Sequence, residues 1–87
     1  MFIIANMDLM GDMEALGRQI RKARKQRGLL QTDIAARASV RRQVVSELER
    51  GVYKGSLQRA MDVLRAMGLR LVLEPVRFPV LEELSDD

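Results

Sequence analysis

Apolar residues recur at helical spacing in four segments of the chain, and a glycine follows three of them. The first segment, residues 13–27, follows Asp12, which predicts an N-cap, and it places Leu16 and Ile20 on one face. Gly28 marks its end, because glycine readily adopts the left-handed conformation that terminates helices. The spacing predicts a first amphipathic helix.

Three further segments show the same period. Residues 31–38 and 42–50 are short and are separated by a tight corner, and Gly51 ends the second of them. Ser56 predicts the N-cap of a helix over residues 57–67, which another glycine ends. The chain is therefore predicted to contain four helices, of which the middle two are short and close together.

The period changes after the fourth helix, where apolar and polar residues alternate over residues 69–74 until Pro75. This alternation predicts one β-strand. A lone strand leaves its backbone unpaired, so it needs a partner. Residues 2–4 and 76–81 are candidates within the chain, but we favour the same strand of a second copy. The residues expected to form this dimer contact are Leu69, Leu71 and Leu73.

The composition is that of one folded domain with an aliphatic core, since 47% of the 87 residues are hydrophobic and only 3% are aromatic. The sequence has no Cys and no His, which excludes disulfides, the usual zinc sites and His-dependent catalytic triads. We therefore expect no enzyme activity, metal or cofactor. Because no apolar run has the length of a membrane span, we expect a cytoplasmic protein.

The charge is unevenly distributed, although the net charge is only +3. Residues 18–54 carry eleven cations and three acids, whereas residues 76–87 carry one cation and four acids. This division predicts an N-terminal extension (1–11), a basic domain (12–75) and an acidic tail (76–87). The tail is either a free end or a segment that binds a partner protein. The apolar residues available for such a contact are Phe78, Val80, Leu81 and Leu84.

Several of these cations lie on one face of the first predicted helix. Three interpretations remain open: a solvated face, a contact with the DNA backbone, or a site for an acidic protein. The cations that share this face are Arg18, Arg21, Lys22 and Lys25.

Two short helices joined by a corner, with cations and amides on the outer face of the second, describe a helix-turn-helix. Residues 28–51 resemble the lambda-repressor-like (XRE-type) DNA-binding family through Gln31, Ile34-Ala35, Val40, Val45-Ser46 and Leu48-Glu49-Arg50-Gly51. The resemblance implies a mainly α, four-helix DNA-binding domain. Three positions depart from the family pattern: Leu30 replaces a Ser or Thr cap, Ser39 replaces Gly, and Arg41 replaces Ser or Thr.

The outer positions of the third helix would meet base edges in the major groove if Val45 and Leu48 are buried. Arg pairs with guanine, Gln with adenine, and Glu accepts from cytosine. By the resemblance, Gln31 braces the DNA backbone, and Arg50 and Lys54 lie near loop phosphates. The predicted DNA-binding residues are Gln31, Arg41, Arg42, Gln43, Ser46, Glu47, Arg50 and Lys54. Any one of them could instead belong to a solvated polar face.

A structural ion pair is also implied by the resemblance. In the family, a Glu at the position of Glu49 often pairs with an Arg that lies four residues before the glycine ending the first helix. In this chain that Arg is Arg24. Glu49 should therefore point partly inward rather than toward DNA.

The segment from Ser56 to Pro75 resembles the HipB-type antitoxin branch of the family, because a strand replaces the usual fifth helix. This resemblance implies a homodimeric repressor of its own operon, which binds double-stranded operator DNA and neutralises a HipA-like, kinase-like toxin. A stand-alone phage-type or metabolic regulator is the alternative. A third interpretation is a protein-interaction module whose basic face binds an acidic partner.

Overall fold

The computed structural model describes residues 11–73 and Pro75. Four helices form in this part of the chain: α1 (Asp12–Gln26), α2 (Gln31–Ala38), α3 (Arg42–Arg50) and α4 (Leu57–Ala66). The bounds of α2 and α3 are those predicted, whereas α1 begins and ends one residue early and α4 ends one residue early.

The predicted N-cap of α1 is wrong. Asp12 is the first residue of α1, and Gly11 takes the cap position, where its carbonyl accepts a hydrogen bond from the Ala15 N–H at 2.7 Å. As a residue of the first turn, Asp12 places its negative charge near the positive end of the helix dipole. The acid thus favours the start of the helix without capping it.

The core is aliphatic and draws on all four helices. Its fully buried side chains are Ile20 from α1, Ile34 from α2, Val45 and Leu48 from α3, and Val63 from α4. Helix α3 packs against α1 and α2, and α2 also packs against α4. The second helix of the predicted motif is thereby held in the middle of the domain, with one side left open.

Helices α1 and α3 approach closely at Gly17. A Cβ atom there would lie 2.5 Å from the carbonyl oxygens of both Leu48 and Glu49, well inside van der Waals contact. Only glycine permits this approach. Since Gly17 lies two turns before Arg24, the close approach brings the end of α1 to the end of α3.

Polar backbone groups at the helix ends are satisfied in different ways. Leu30 has no capping side chain, but the Asp33 carboxylate accepts from the Leu30 N–H at 2.7 Å. At the start of α4, Ser56 caps as predicted, since its Oγ accepts from the Arg59 N–H at 3.2 Å. In the corner between α2 and α3, Ser39 adopts a left-handed conformation with φ of 59°.

No residue from 11 to 73 forms a strand. Within the predicted strand, Leu69 packs against the core, Leu71 and Val72 are partly exposed, and Leu73 is 92% exposed. The strand and its pairing with a second copy therefore stay predictions. The tail residues Phe78, Val80, Leu81 and Leu84 lie outside the described residues, as do residues 1–10.

Within the described ranges, none of the helices has both the length and the apolar character needed to cross a membrane.

Candidate nucleic-acid interface

Helix α3 separates its apolar and polar sides cleanly. Val45 and Leu48 are buried in the core, with exposures of 0% and 1%. The predicted base-contacting residues lie on the other side, where Arg42, Gln43 and Arg50 are exposed and Ser46 and Glu47 are half-buried. The structure thus gathers them on one open face of a single helix, which we call the α3 outer face.

Two pairs of side chains bridge successive turns of the α3 outer face. Gln43 donates from Nε2 to Oε2 of Glu47 at 3.1 Å, and Arg50 donates from Nε to Oγ of Ser46 at 3.3 Å. Residues four apart on a helix are neighbours, so these contacts need no distortion. The Gln43 contact uses its Nε2, so its amide oxygen can still accept a hydrogen bond.

Gln31, the first residue of α2, lies between the α3 outer face and the core. Its Oε1 accepts from Nη1 of Arg42 at 2.8 Å, and its Nε2 donates to Oε1 of Glu49 at 3.1 Å. The sequence predicted a DNA-bracing role for Gln31 but not this link between two residues of α3. The link joins residues from different helices, so no local pattern in the sequence reveals it.

Arg24 and Glu49 form a buried ion pair. Arg24 donates from Nε to Oε2 of Glu49 at 2.5 Å and from Nη2 to Oε1 at 3.0 Å, while its Nη1 donates to the Leu29 carbonyl at 2.9 Å. Both residues are only 9% exposed. The hydrogen bonds that Arg24 donates to the Glu49 carboxylate raise the pKa of Arg24 above its ordinary value, although burial opposes this. The guanidinium therefore stays charged, and Glu49 points inward.

Further cations surround the α3 outer face. Arg41 precedes α3 and Lys54 lies in the loop after it, and both are exposed. Arg59 of α4 is also exposed and lines a groove together with Arg41 and Glu47. Arg59 is not among the residues predicted from the sequence, because only the packing of α4 brings it beside α3.

The basic face of α1 is exposed as well. The described ion pairs join Arg24 to Glu49 and Arg65 to Asp62, and they include none of the cations on this face. The geometry leaves open all three interpretations of the face. Its exposed cations are Arg18, Arg21, Lys22 and Lys25.

The family model described as "Helix-turn-helix" matches residues 20–73, which is more than half of the chain. The protein belongs to the helix-turn-helix family. The match runs from the middle of α1 to one residue before the end of the predicted strand, so it includes all the residues that build the α3 outer face.

Two curated relatives carry the same designation. An uncharacterized HTH-type transcriptional regulator of Sinorhizobium fredii, y4dL, is 31% identical over 74 residues, which cover 84% of this chain and 38% of the relative. One from Methanothermobacter thermautotrophicus is 45% identical over 49 residues, covering 56% of this chain and 71% of the relative. This helix-turn-helix chain thus spans well under half the length of the first relative.

Solved structures show the same fold. The restriction-modification controller protein C.AhdI from Aeromonas hydrophila superposes with a TM-score of 0.63 at 27% identity, covering 69% of this chain and 91% of that protein. The clp gene regulator ClgR from C. glutamicum gives a TM-score of 0.62 at 31% identity, covering 77% and 83%. None of the relatives described here is named an antitoxin.

Proposed function

We propose that this helix-turn-helix protein binds double-stranded DNA through the α3 outer face and acts as a transcriptional regulator. The observation that carries the proposal is the sidedness of α3, whose apolar residues are buried while its cations and amides stay accessible. A helix of this kind fits the major groove, where each base pair presents a distinct pattern of donors and acceptors. The names of the relatives, which are gene regulators and a controller protein, support the same role.

The exposed residues divide into two groups by position. Arg42 and Gln43, in the first turn of α3, are suited to contacts with guanine and adenine. Arg41 immediately precedes α3, Lys54 lies in the loop after it and Arg59 is on α4. These three exposed cations suit phosphate contacts, which position a protein without reading sequence.

Selection of binding sites from a random DNA pool tests this proposal. The selected operator should bind far more tightly than random DNA, and its log affinity should fall linearly with log salt concentration, because phosphate contacts release counterions. Arg42→Ala should relax discrimination at one base pair of each half-site, whereas Lys54→Ala should weaken binding to all sequences alike. Failure to enrich any sequence, or a flat response to salt, would exclude the DNA-binding role.

The active form in this proposal is a homodimer. Its support is the apolar segment after α4, in which Leu73 is 92% exposed and Leu71 and Val72 are partly exposed. Two recognition helices related by a two-fold axis would lie about 34 Å apart, a spacing that the general helix-turn-helix geometry supplies. Sedimentation equilibrium at micromolar concentration should then show twice the mass of one chain.

The finer role that we propose is an autoregulating antitoxin, which rests on the resemblance of the segment from Ser56 to Pro75 to the HipB-type branch. The alternative is a regulator without a toxin. Co-expression with the product of the adjacent open reading frame separates them. An antitoxin should co-purify with a kinase-like protein and relieve its growth inhibition, whereas a stand-alone regulator should do neither.

A further inference from the structure

We propose that Glu49 controls which base the α3 outer face reads, although Glu49 is buried and faces away from DNA. It does so by fixing the amide orientation of Gln31, which in turn holds the guanidinium of Arg42. The inference rests on the proposed DNA binding and adds positioning roles for Glu49 and Gln31 in sequence discrimination.

The observation is a continuous series of hydrogen bonds from the core to the surface. Arg24 donates to Glu49 at 2.5 and 3.0 Å, Gln31 Nε2 donates to Glu49 at 3.1 Å, and Arg42 donates to Gln31 Oε1 at 2.8 Å. The series crosses three helices. At its inner end the ion pair is buried, and at its outer end Arg42 is exposed in the first turn of α3.

Donors and acceptors alternate along this series in only one way. An ionised carboxylate accepts hydrogen bonds and cannot donate them, and a guanidinium donates and cannot accept. The Gln31 amide must therefore turn its NH₂ toward Glu49 and its oxygen toward Arg42. The reversed amide would set an oxygen against the carboxylate and an NH₂ against the guanidinium, and both contacts would be repulsive. Glu49 thus makes the outer end of Gln31 an acceptor.

The acceptor at the outer end of Gln31 determines which side chain suits position 42 and which base that side chain can read. It favours a donor such as Arg42 and holds one of its two terminal nitrogens, which leaves the other terminal nitrogen and Nε free for a base. Two parallel donors match O6 and N7 of guanine. Because Arg42 is ordered before DNA arrives, less side-chain entropy is lost on binding. We expect a guanine opposite Arg42 in each half-site.

This assignment differs from a simple phosphate-bracing role for Gln31. Both ends of its amide are already engaged within the protein, so one N–H remains to reach the DNA backbone. A bracing residue affects all sequences equally, whereas a positioning residue affects discrimination at the base that Arg42 reads. The two roles therefore predict different results for the same variant.

The test measures binding by fluorescence anisotropy to the operator selected by the wild-type protein and to the same operator with the guanine opposite Arg42 replaced. Gln31→Met removes both hydrogen bonds but leaves the Arg24–Glu49 pair intact. It should lower discrimination at this base pair by about fivefold or more. In an Arg42→Ala background, Gln31→Met should change discrimination no further. Lys54→Ala is the matched control and should weaken binding to both DNAs equally.

A second pair of variants tests the polarity of the amide. Gln31→Glu still offers Arg42 an acceptor and should keep the guanine preference that Gln31→Met loses, at a cost in stability because its carboxylate also faces Glu49. Glu49→Gln, once shown to be folded by circular dichroism, lets the Gln31 amide reverse and should weaken the guanine preference. If Glu49→Gln does not fold, the difference in guanine preference between Gln31→Met and Gln31→Glu tests the polarity of the amide by itself.

Three results would overturn the inference: equal losses on both DNAs for Gln31→Met, additive effects of Gln31→Met and Arg42→Ala, or equal guanine preference in Gln31→Met and Gln31→Glu. In each case the wild-type protein would still select an operator, so the proposed function would stand. If the wild-type protein selects no sequence, the proposed function itself fails.

Discussion

Glu49 accepts hydrogen bonds from two helices at once, and it thereby connects α3 to α1 and α2. Replacing Glu49 with Ala leaves the buried guanidinium of Arg24 without its partner. Breaking a buried pair in this way costs about 3–5 kcal/mol, so the free energy of unfolding in urea should fall by that amount.

Glu47 provides the matched control, because it is a carboxylate on the same helix whose hydrogen-bond partner among the described residues is the exposed Gln43. Glu47→Ala should change the unfolding free energy by less than about 0.5 kcal/mol. Equal losses for the two variants would show that Glu49 has no special structural role.

Ser39 is the described non-glycine residue with a positive φ, at 59°, and the related family pattern has glycine there. The left-handed conformation is costly for residues with a Cβ atom, and glycine adopts it without strain. Ser39→Gly should therefore raise the unfolding free energy by about 0.5–1 kcal/mol, after allowance for the greater freedom of glycine in the unfolded chain. Thermal and urea unfolding both measure this.

The same substitution at Ala36, an exposed position within α2, is the control. There the backbone is helical, so Ala36→Gly should lower stability by about 1 kcal/mol. A loss of stability in both variants would mean that the corner at Ser39 is not strained.

The contact between helices α1 and α3 depends on the absence of a side chain at Gly17. In an exposed helix, Gly→Ala usually stabilises by up to about 1 kcal/mol. Here the new Cβ would meet the carbonyls of Leu48 and Glu49 at 2.5 Å, and neither backbone group can rotate away. Gly17→Ala should instead destabilise the domain by about 1–3 kcal/mol.

Arg18→Ala, at the exposed neighbouring position of α1, should leave the unfolding free energy nearly unchanged. Gly17→Ala should also weaken operator binding, because the ends of α1 and α3 that hold Arg24 and Glu49 would move apart. A stabilised Gly17→Ala variant would show that the two helices do not pack closely.

The elements themselves follow closely from local sequence. The helix bounds were predicted to within one residue, because amphipathic spacing and glycine stops act within a few residues. The predicted N-cap of α1 was wrong by one residue. Asp12 and Gly11 are both suitable N-cap residues, and the backbone conformation determines which of them takes that position. The strand over residues 69–74 needs a partner, so its sequence pattern alone could not establish it.

The proposed dimer of the whole protein is better tested at Leu73 than at Leu71. Leu71 lines a cleft between α1 and α4 together with Leu16 and Leu64, so Leu71→Asp would disturb the single domain as well as any dimer. Leu73 is 92% exposed and has little to lose within its own chain. Leu73→Asp should therefore abolish the dimer while leaving the helical signal in circular dichroism intact.

Losing the dimer should lower operator affinity more than about tenfold, because each half-site alone holds one chain weakly. Arg70→Asp, on the alternate side of the predicted strand, should leave the sedimentation mass unchanged. A Leu73→Asp protein that remains a dimer would place the interface elsewhere.

The sequence by itself determined the four helices, the aliphatic core and the residues that face outward on α3. These features depend on periodicity and on glycine positions, which are local properties of the chain. The α3 outer face could therefore be predicted residue by residue.

Only the tertiary structure decided how that face is supported. Gln31 meets Arg42 across 11 positions of sequence and Glu49 across 18. The Arg24–Glu49 pair, across 25 positions, was implied by the family resemblance and not by any local pattern. Such contacts depend on how closely α1 packs on α3 and on the angle between α2 and α3 at the corner that joins them. Packing distances and angles arise from all the buried side chains together, so no short segment of the sequence contains them.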